Sequence, residues 1–99
     1  MPAYFVIHNK VLDDDAMQTY IPAAGGSIYG NGGEVLVVSE ACDVIEGTAP
    51  YPRTVVVKFD SREQAMAWYD SPEYAELRPI RLGCTEGFAV LVDGFEMPA

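Results

Sequence analysis

The amino-acid sequence predicts one α+β domain whose elements follow the order β-α-β-β-α-β, with the helices on one face of an antiparallel sheet. Three observations lead there. Segments rich in aromatic and β-branched residues stand at 3–12, 34–46, 53–59 and 88–92. Helix-start signals stand at Asp13-Asp14-Asp15 and at Ser61-Arg62-Glu63-Gln64, between the first and second and the third and fourth of those segments. The chain has only 99 residues, too few for a second core. Two strand-helix-strand units in succession, each with a crossover long enough for parallel strands, form the split βαβ arrangement called ferredoxin-like.

The first strand, Ala3 to Leu12, alternates His8 and Lys10 with Ile7 and Val11, as on a strand with unequal faces. Asp13 to Asp15 supply an N-cap and negative charge at the positive end of the helix dipole. Met17, Tyr20, Ile21, Ala24 and Ile28 continue at helical spacing. Pro22 removes a backbone donor, so a kink or break is expected near Tyr20, and Gly30-Asn31-Gly32-Gly33 turns the chain. Glu34 to Glu46 reads as one long, bent or bulged strand, paired as a hairpin with Arg53 to Phe59 across the turn-rich residues 47–52. Ser61 to Gln64 match a capping box, followed by Ala65, Trp68 and Tyr69. Ser71-Pro72-Glu73 opens a short helical turn through Arg78, broken near Pro79. Phe88 to Val92, bounded by Gly87 and Gly94, reads as a buried strand.

Six basic residues against fifteen acidic ones give a formal net charge of −9, which repels phosphate backbones and anionic lipid. Nucleic acid and membrane are therefore not expected partners. No basic segment precedes Tyr4, and no apolar run approaches the ~20 residues that span a bilayer, so the expected location is cytoplasmic. Cys42 and Cys84 have neither CxxC spacing nor histidine neighbours, which suits two buried, reduced thiols and no metal site. A chain this short leaves much of its surface in water, and strands carrying Phe5, Ile7, Val55, Val57, Val90 and Val92 offer no cleanly polar side. A second copy of the sheet is the simplest cover.

The run from Ala65 through Trp68-Tyr69-Asp70-Ser71-Pro72-Glu73-Tyr74 to Leu77-Arg78-Pro79-Ile80-Arg81 resembles the signature of domain-of-unknown-function family 1330. The likeness extends to the aromatic first strand, Tyr20, Tyr29-Gly30, Ile45-Glu46-Gly47 and Pro52-Arg53. It implies membership of the dimeric α/β-barrel superfamily, in which two ferredoxin-like sheets pack face to face and small-molecule clefts lie between each sheet and its helices. Relatives there include cofactor-independent monooxygenases and haem-degrading enzymes. Members of the family often carry Arg-Gly-Gly in the middle of strand two, where this chain has Val38-Ser39-Glu40. Any anion contact made by that arginine is absent here.

Few residues offer chemistry. His8 is the sole histidine and so the one unperturbed side chain for proton transfer near neutral pH; as a residue with no identified orienting carboxylate it also suits a plain strand position. Arg78 and Arg81, three apart, would hold a carboxylate if they share a face, or else pair with surface acids. Tyr20 and Trp68 suit either an apolar pocket with polar rims or plain core packing. Arg53 reads as structural. The glycines of 25–33 lack the ending of a phosphate loop. The leading expectation is a small-molecule-binding homodimer without a cofactor, its cleft lined by His8, Tyr20, Trp68, Arg78 and Arg81 and suited to a small organic anion or aromatic ligand. The alternatives are a cofactor-independent oxygenase or isomerase with His8 as base, and a structural or regulatory dimer.

Overall fold

The computed structural model describes residues 1–96. In chain order it contains β1 (Ala3–Val11), α1 (Asp14–Gly30), β2 (Glu34–Ser39), β3 (Arg53–Phe59), α2 (Arg62–Tyr69), α3 (Pro72–Cys84) and β4 (Thr85–Asp93). The strands form one sheet in the order β2-β3-β1-β4, each neighbouring pair antiparallel. This is the ferredoxin-like topology the element order predicts.

Period-two burial fixes which side of β1 meets the helices: Ala3, Phe5, Ile7 and Asn9 are buried, while Tyr4, Val6 and His8 between them are half-buried. Strand β3 follows suit with Arg53, Val57 and Phe59. Each helix begins on a side-chain cap. Asp13 Oδ1 accepts the Ala16 N–H (3.2 Å), Ser61 Oγ the Gln64 N–H (3.1 Å) and Ser71 Oγ the Tyr74 N–H (3.3 Å). Gln64 also reaches back, its Oε1 accepting the Asp60 N–H at 3.1 Å. Trp68 from α2 packs on Phe5 and Phe59 of the sheet and on Tyr74 of α3, with ring centroids 5.4, 5.5 and 4.2 Å away.

Several elements depart from the sequence expectation. The break at Pro22 does not occur, and α1 runs unbroken for 17 residues; α3 likewise continues through Pro79 to Cys84. Both prolines lie on exposed helix faces, where a carbonyl without its donor can be hydrated. Strand β2 stops at Ser39 instead of reaching Glu46, and its one register shift lies earlier, between Val35 and Val37. Its ladder ends near Pro52, which stands just before β3 and has no N–H to give; one bond, from Cys42 N–H to the Pro52 carbonyl, extends the contact. The apolar strand residues also divide between faces. Phe5, Ile7, Val55 and Val57 turn to the helices, whereas Val90 and Val92 pair with Val6 and Tyr4 on the open face. Strand β4 is therefore an exposed edge within the single chain, with Phe88, Val90 and Val92 on its open side 43–50% accessible. Cys84 is buried but Cys42 only partly so, and both are free thiols.

Gly87 takes a φ of +150°, and a Cβ there would strike the His8 carbonyl oxygen and lie 2.7 Å from Asn9 Cα. Gly83, in α3, has open space around it. Gly87→Ala should therefore lower the free energy of urea unfolding by about 1–3 kcal/mol, whereas Gly83→Ala should leave it unchanged or raise it by about 0.4–1 kcal/mol. Equal effects would show that the β1–β4 contact does not require the glycine.

Candidate functional site

A cleft of about 250 Å³ lies between α1 and the helix-facing side of the sheet. Ile7, Val35, Val55 and Val57 of the strands form its floor, and Ile21, Ala24 and Ile28 of α1 form its roof. Trp68 closes one side. Against these apolar walls stand Asn9, Tyr20, Glu40, Arg53 and Arg81. This is the composition of a small-molecule site: mostly apolar, with a few placed polar groups.

The polar groups are unusual in what they lack. Asn9 is 2% exposed, yet among the described residues neither its carboxamide nitrogen nor its oxygen has a hydrogen-bond partner. A buried amide left unpaired costs about 1–3 kcal/mol. Strand register sets Asn9 directly opposite Arg53 on β3 and Gly87 on β4. Arg53 is buried as well, and its ion-pair partner among the described residues is Glu40, with Nε and Oε1 3.5 Å apart. Arg81, from α3, is also buried; its Nε donates to the Tyr74 hydroxyl at 3.1 Å, and that hydroxyl lies 2.7 Å from the hydroxyl of Tyr20. Two guanidiniums are thus sequestered at one cleft in a strongly acidic chain.

Burial, reinforced by the neighbouring Tyr74, raises the Tyr20 phenol well above its ordinary range, so the cleft holds a neutral hydroxyl there. Burial opposes the charge on Arg81, but the Tyr74 and Tyr20 hydroxyls outweigh it and its pKa is raised. Cys84, the last residue of α3, has its thiol pKa raised, by burial first and then by Asp13. Among the described residues, no three His, Cys, Asp or Glu side chains gather to hold a metal ion. No helix among them is long and apolar enough to cross a membrane.

The structure brings together three of the residues singled out in the sequence and separates two. Tyr20, Trp68 and Arg81 line the cleft. Trp68 serves the core as well, its Nε1 donating to Ser27 Oγ at 3.0 Å. His8 lies on the opposite face of the sheet, because its neighbours Ile7 and Asn9 face the helices; its Nδ1 is 3.2 Å from Thr54 Oγ1 and its ring packs beside Phe88. Arg78 turns away from Arg81, with its guanidinium 4.7 Å over the Tyr69 ring, Nη1 donating to the Tyr69 carbonyl at 3.1 Å and Asp70 3.9 Å away. Asn9 and Arg53 take the places that His8 and Arg78 are expected to fill. A signal for Asn9 is present in β1: after Ala3, Phe5 and Ile7 the inward series reaches an amide where an apolar residue belongs.

Residues 2–95 match the family described as domain of unknown function, DUF1330. The chain belongs to that family. No curated protein matches it. Among solved structures, a protein of unknown function from Rhodopseudomonas palustris superposes with a TM-score of 0.80 at 12% identity, covering 97% of this chain and 84% of that one. SnoaB, a cofactor-independent oxygenase from Streptomyces nogalater, superposes with a TM-score of 0.67 at 7% identity, covering 97% and 95%. A dimeric ferredoxin-like protein of unknown function from Thermobifida fusca does so at 0.61 and 15% identity, covering 92% and 89%. At these identities the likeness establishes the DUF1330 chain's fold and leaves its activity to the site itself.

Replacing Asn9 by the near-isosteric leucine removes two unpaired polar atoms from an apolar wall. Asn9→Leu should raise the unfolding free energy of the ligand-free protein by about 1 kcal/mol in a denaturant melt. A loss of stability would mean that Asn9 already has a partner in the resting protein.

Proposed function

We propose that this DUF1330 protein is a homodimeric small-molecule-binding protein whose cleft takes a small organic acid, aromatic or aliphatic. The unpartnered Asn9 carboxamide carries the reading. Its donor and acceptor both lie in an apolar cleft that also holds two buried guanidiniums, so a ligand with a carboxylate and an apolar body answers each feature. Arginine forks bind carboxylates through paired hydrogen bonds, the amide supports a neighbouring oxygen, and the valine and isoleucine walls accept the hydrocarbon. Tyr20, neutral through its raised pKa, adds a hydroxyl without repelling an anion.

The open sheet face supports the second half of the proposal. Val37, Phe88, Val90 and Val92 are each 40% or more exposed, and Val6 and Val56 lie between them on the same face. A contiguous apolar surface of this kind suits a partner sheet, and the similar Thermobifida fusca protein is described as dimeric. An enzymatic reading draws on the likeness to SnoaB, but with His8 across the sheet a histidine base would have no access to a molecule in the cleft. The groups that remain favour holding an anion over moving its protons.

A melting-temperature screen against benzoate, phenylacetate and short aliphatic carboxylates, with their amides as controls, tests the ligand class. Acids should raise the midpoint by about 4–8 °C for each kcal/mol of binding, and Arg81→Leu should abolish the gain. No shift with any acid would refute the ligand assignment. For the assembly, sedimentation equilibrium should give twice the chain mass, and Val90→Asp should give a folded monomer with unchanged far-ultraviolet dichroism; a monomeric parent protein would reject the dimer.

A further inference from the structure

We infer that Glu40 is the cleft's own stand-in for a ligand carboxylate: it neutralises Arg53 when the cleft is empty and is displaced when an organic anion binds. This rests on the reading that the cleft takes an acid. The pair is strongly asymmetric. The Arg53 side chain is 9% exposed and that of Glu40 77% exposed. Their single contact, at 3.5 Å through Nε, is well beyond the ~2.7–2.9 Å of a charge-assisted hydrogen bond. Glu40 therefore supplies charge from the mouth of the cleft without filling the hydrogen-bonding fork of the guanidinium.

A buried cation without a counter-charge is unfavourable, which explains why a carboxylate stands there at all. Its replacement is easy, because a mostly exposed carboxylate returns to water at little loss. A carboxylate arriving within the cleft can approach the guanidinium more closely and bridge it to Asn9, its cross-strand neighbour. Glu40 also begins the irregular segment 40–52, just past the end of β2. The segment's other ties near this point are few: Ser39 Oγ donates to the Ala41 carbonyl at 3.1 Å, and the Cys42 N–H to the Pro52 carbonyl at 3.0 Å. Releasing Glu40 thus loosens the start of that segment. Ligand charge sets selectivity, since an uncharged analogue gains nothing by expelling a carboxylate, and occupancy of the cleft is transmitted to the outer surface.

Benzoate and benzamide, titrated into the parent protein and Glu40→Gln by calorimetry, provide the test, together with amide hydrogen exchange at residues 40–46. Glu40→Gln should tighten benzoate roughly three- to tenfold and leave benzamide within about twofold. Benzoate should also speed exchange at 40–46 in the parent protein but not in the variant. Equal benzoate affinities, an equal gain for benzamide, or exchange that benzoate leaves unchanged or slows would overturn the role of Glu40 while leaving the cleft as an acid site. Benzoate bound by neither protein would remove the acid site and this inference together.

Discussion

The indole of Trp68 joins every layer on the helix side of the molecule. It lies against Phe5 of β1, Phe59 of β3 and Tyr74 of α3, and its N–H reaches Ser27 of α1. A ring of this size buries a large apolar area, and its one polar atom is satisfied, so the contact is favourable on both counts. The cleft depends on it. Trp68 holds Tyr74 in place, the Tyr74 hydroxyl receives Arg81 and meets Tyr20, and those two residues are part of the cleft's polar lining.

The two faces of the sheet differ in character. On the helix side, β1 and β3 alternate into a core that is closed around Phe59 and Val57 and opens into a cleft toward Asn9 and Arg53, at the ends of the same inward series. On the other side the same strands, with β4, present valines and Phe88 to whatever covers them. At the cleft end the Asn9 carboxamide leaves hydrogen-bonding capacity unfilled among the described residues, at a cost in stability. The open face is the complementary case: apolar surface with area to bury and no covering element among the described residues.

Much of this architecture is legible in the residues. The three caps, the β2–β3 hairpin and the element order follow from local chemistry that the tertiary structure leaves unopposed. What misleads is context. Pro22 and Pro79 forbid helix only if the freed carbonyl has nowhere to go, and on an exposed face it has water. Phe88 to Val92 has the composition of a buried strand, yet Phe88, Val90 and Val92 lie exposed on the open face, because composition alone does not say which face of a sheet the helices cover. Tyr20, Trp68 and Arg81 stand out by type and line the cleft, but His8 and Asn9 differ by one position in β1 and hence by a whole sheet's thickness. Choosing between them requires the phase of the alternation, which Ala3, Phe5 and Ile7 fix and the attraction of a lone histidine obscures. Arg53, a cation at the start of a strand, acquires its place in the cleft only through its register with Asn9.

We propose that the Asn9 carboxamide stays unpaired in the resting protein because a ligand completes it. The side-chain amide resonances of the chain's two asparagines, followed by proton–nitrogen correlation spectra during a benzoate titration, test that claim most directly. Asn31, whose Nδ2 is bonded to the Ser27 carbonyl and to Glu73, is an internal reference. The Asn9 pair should move along the binding curve to positions typical of a hydrogen-bonded amide, with Asn31 stationary. An Asn9 pair that stays fixed while benzoate binds would show that the ligand does not engage the carboxamide.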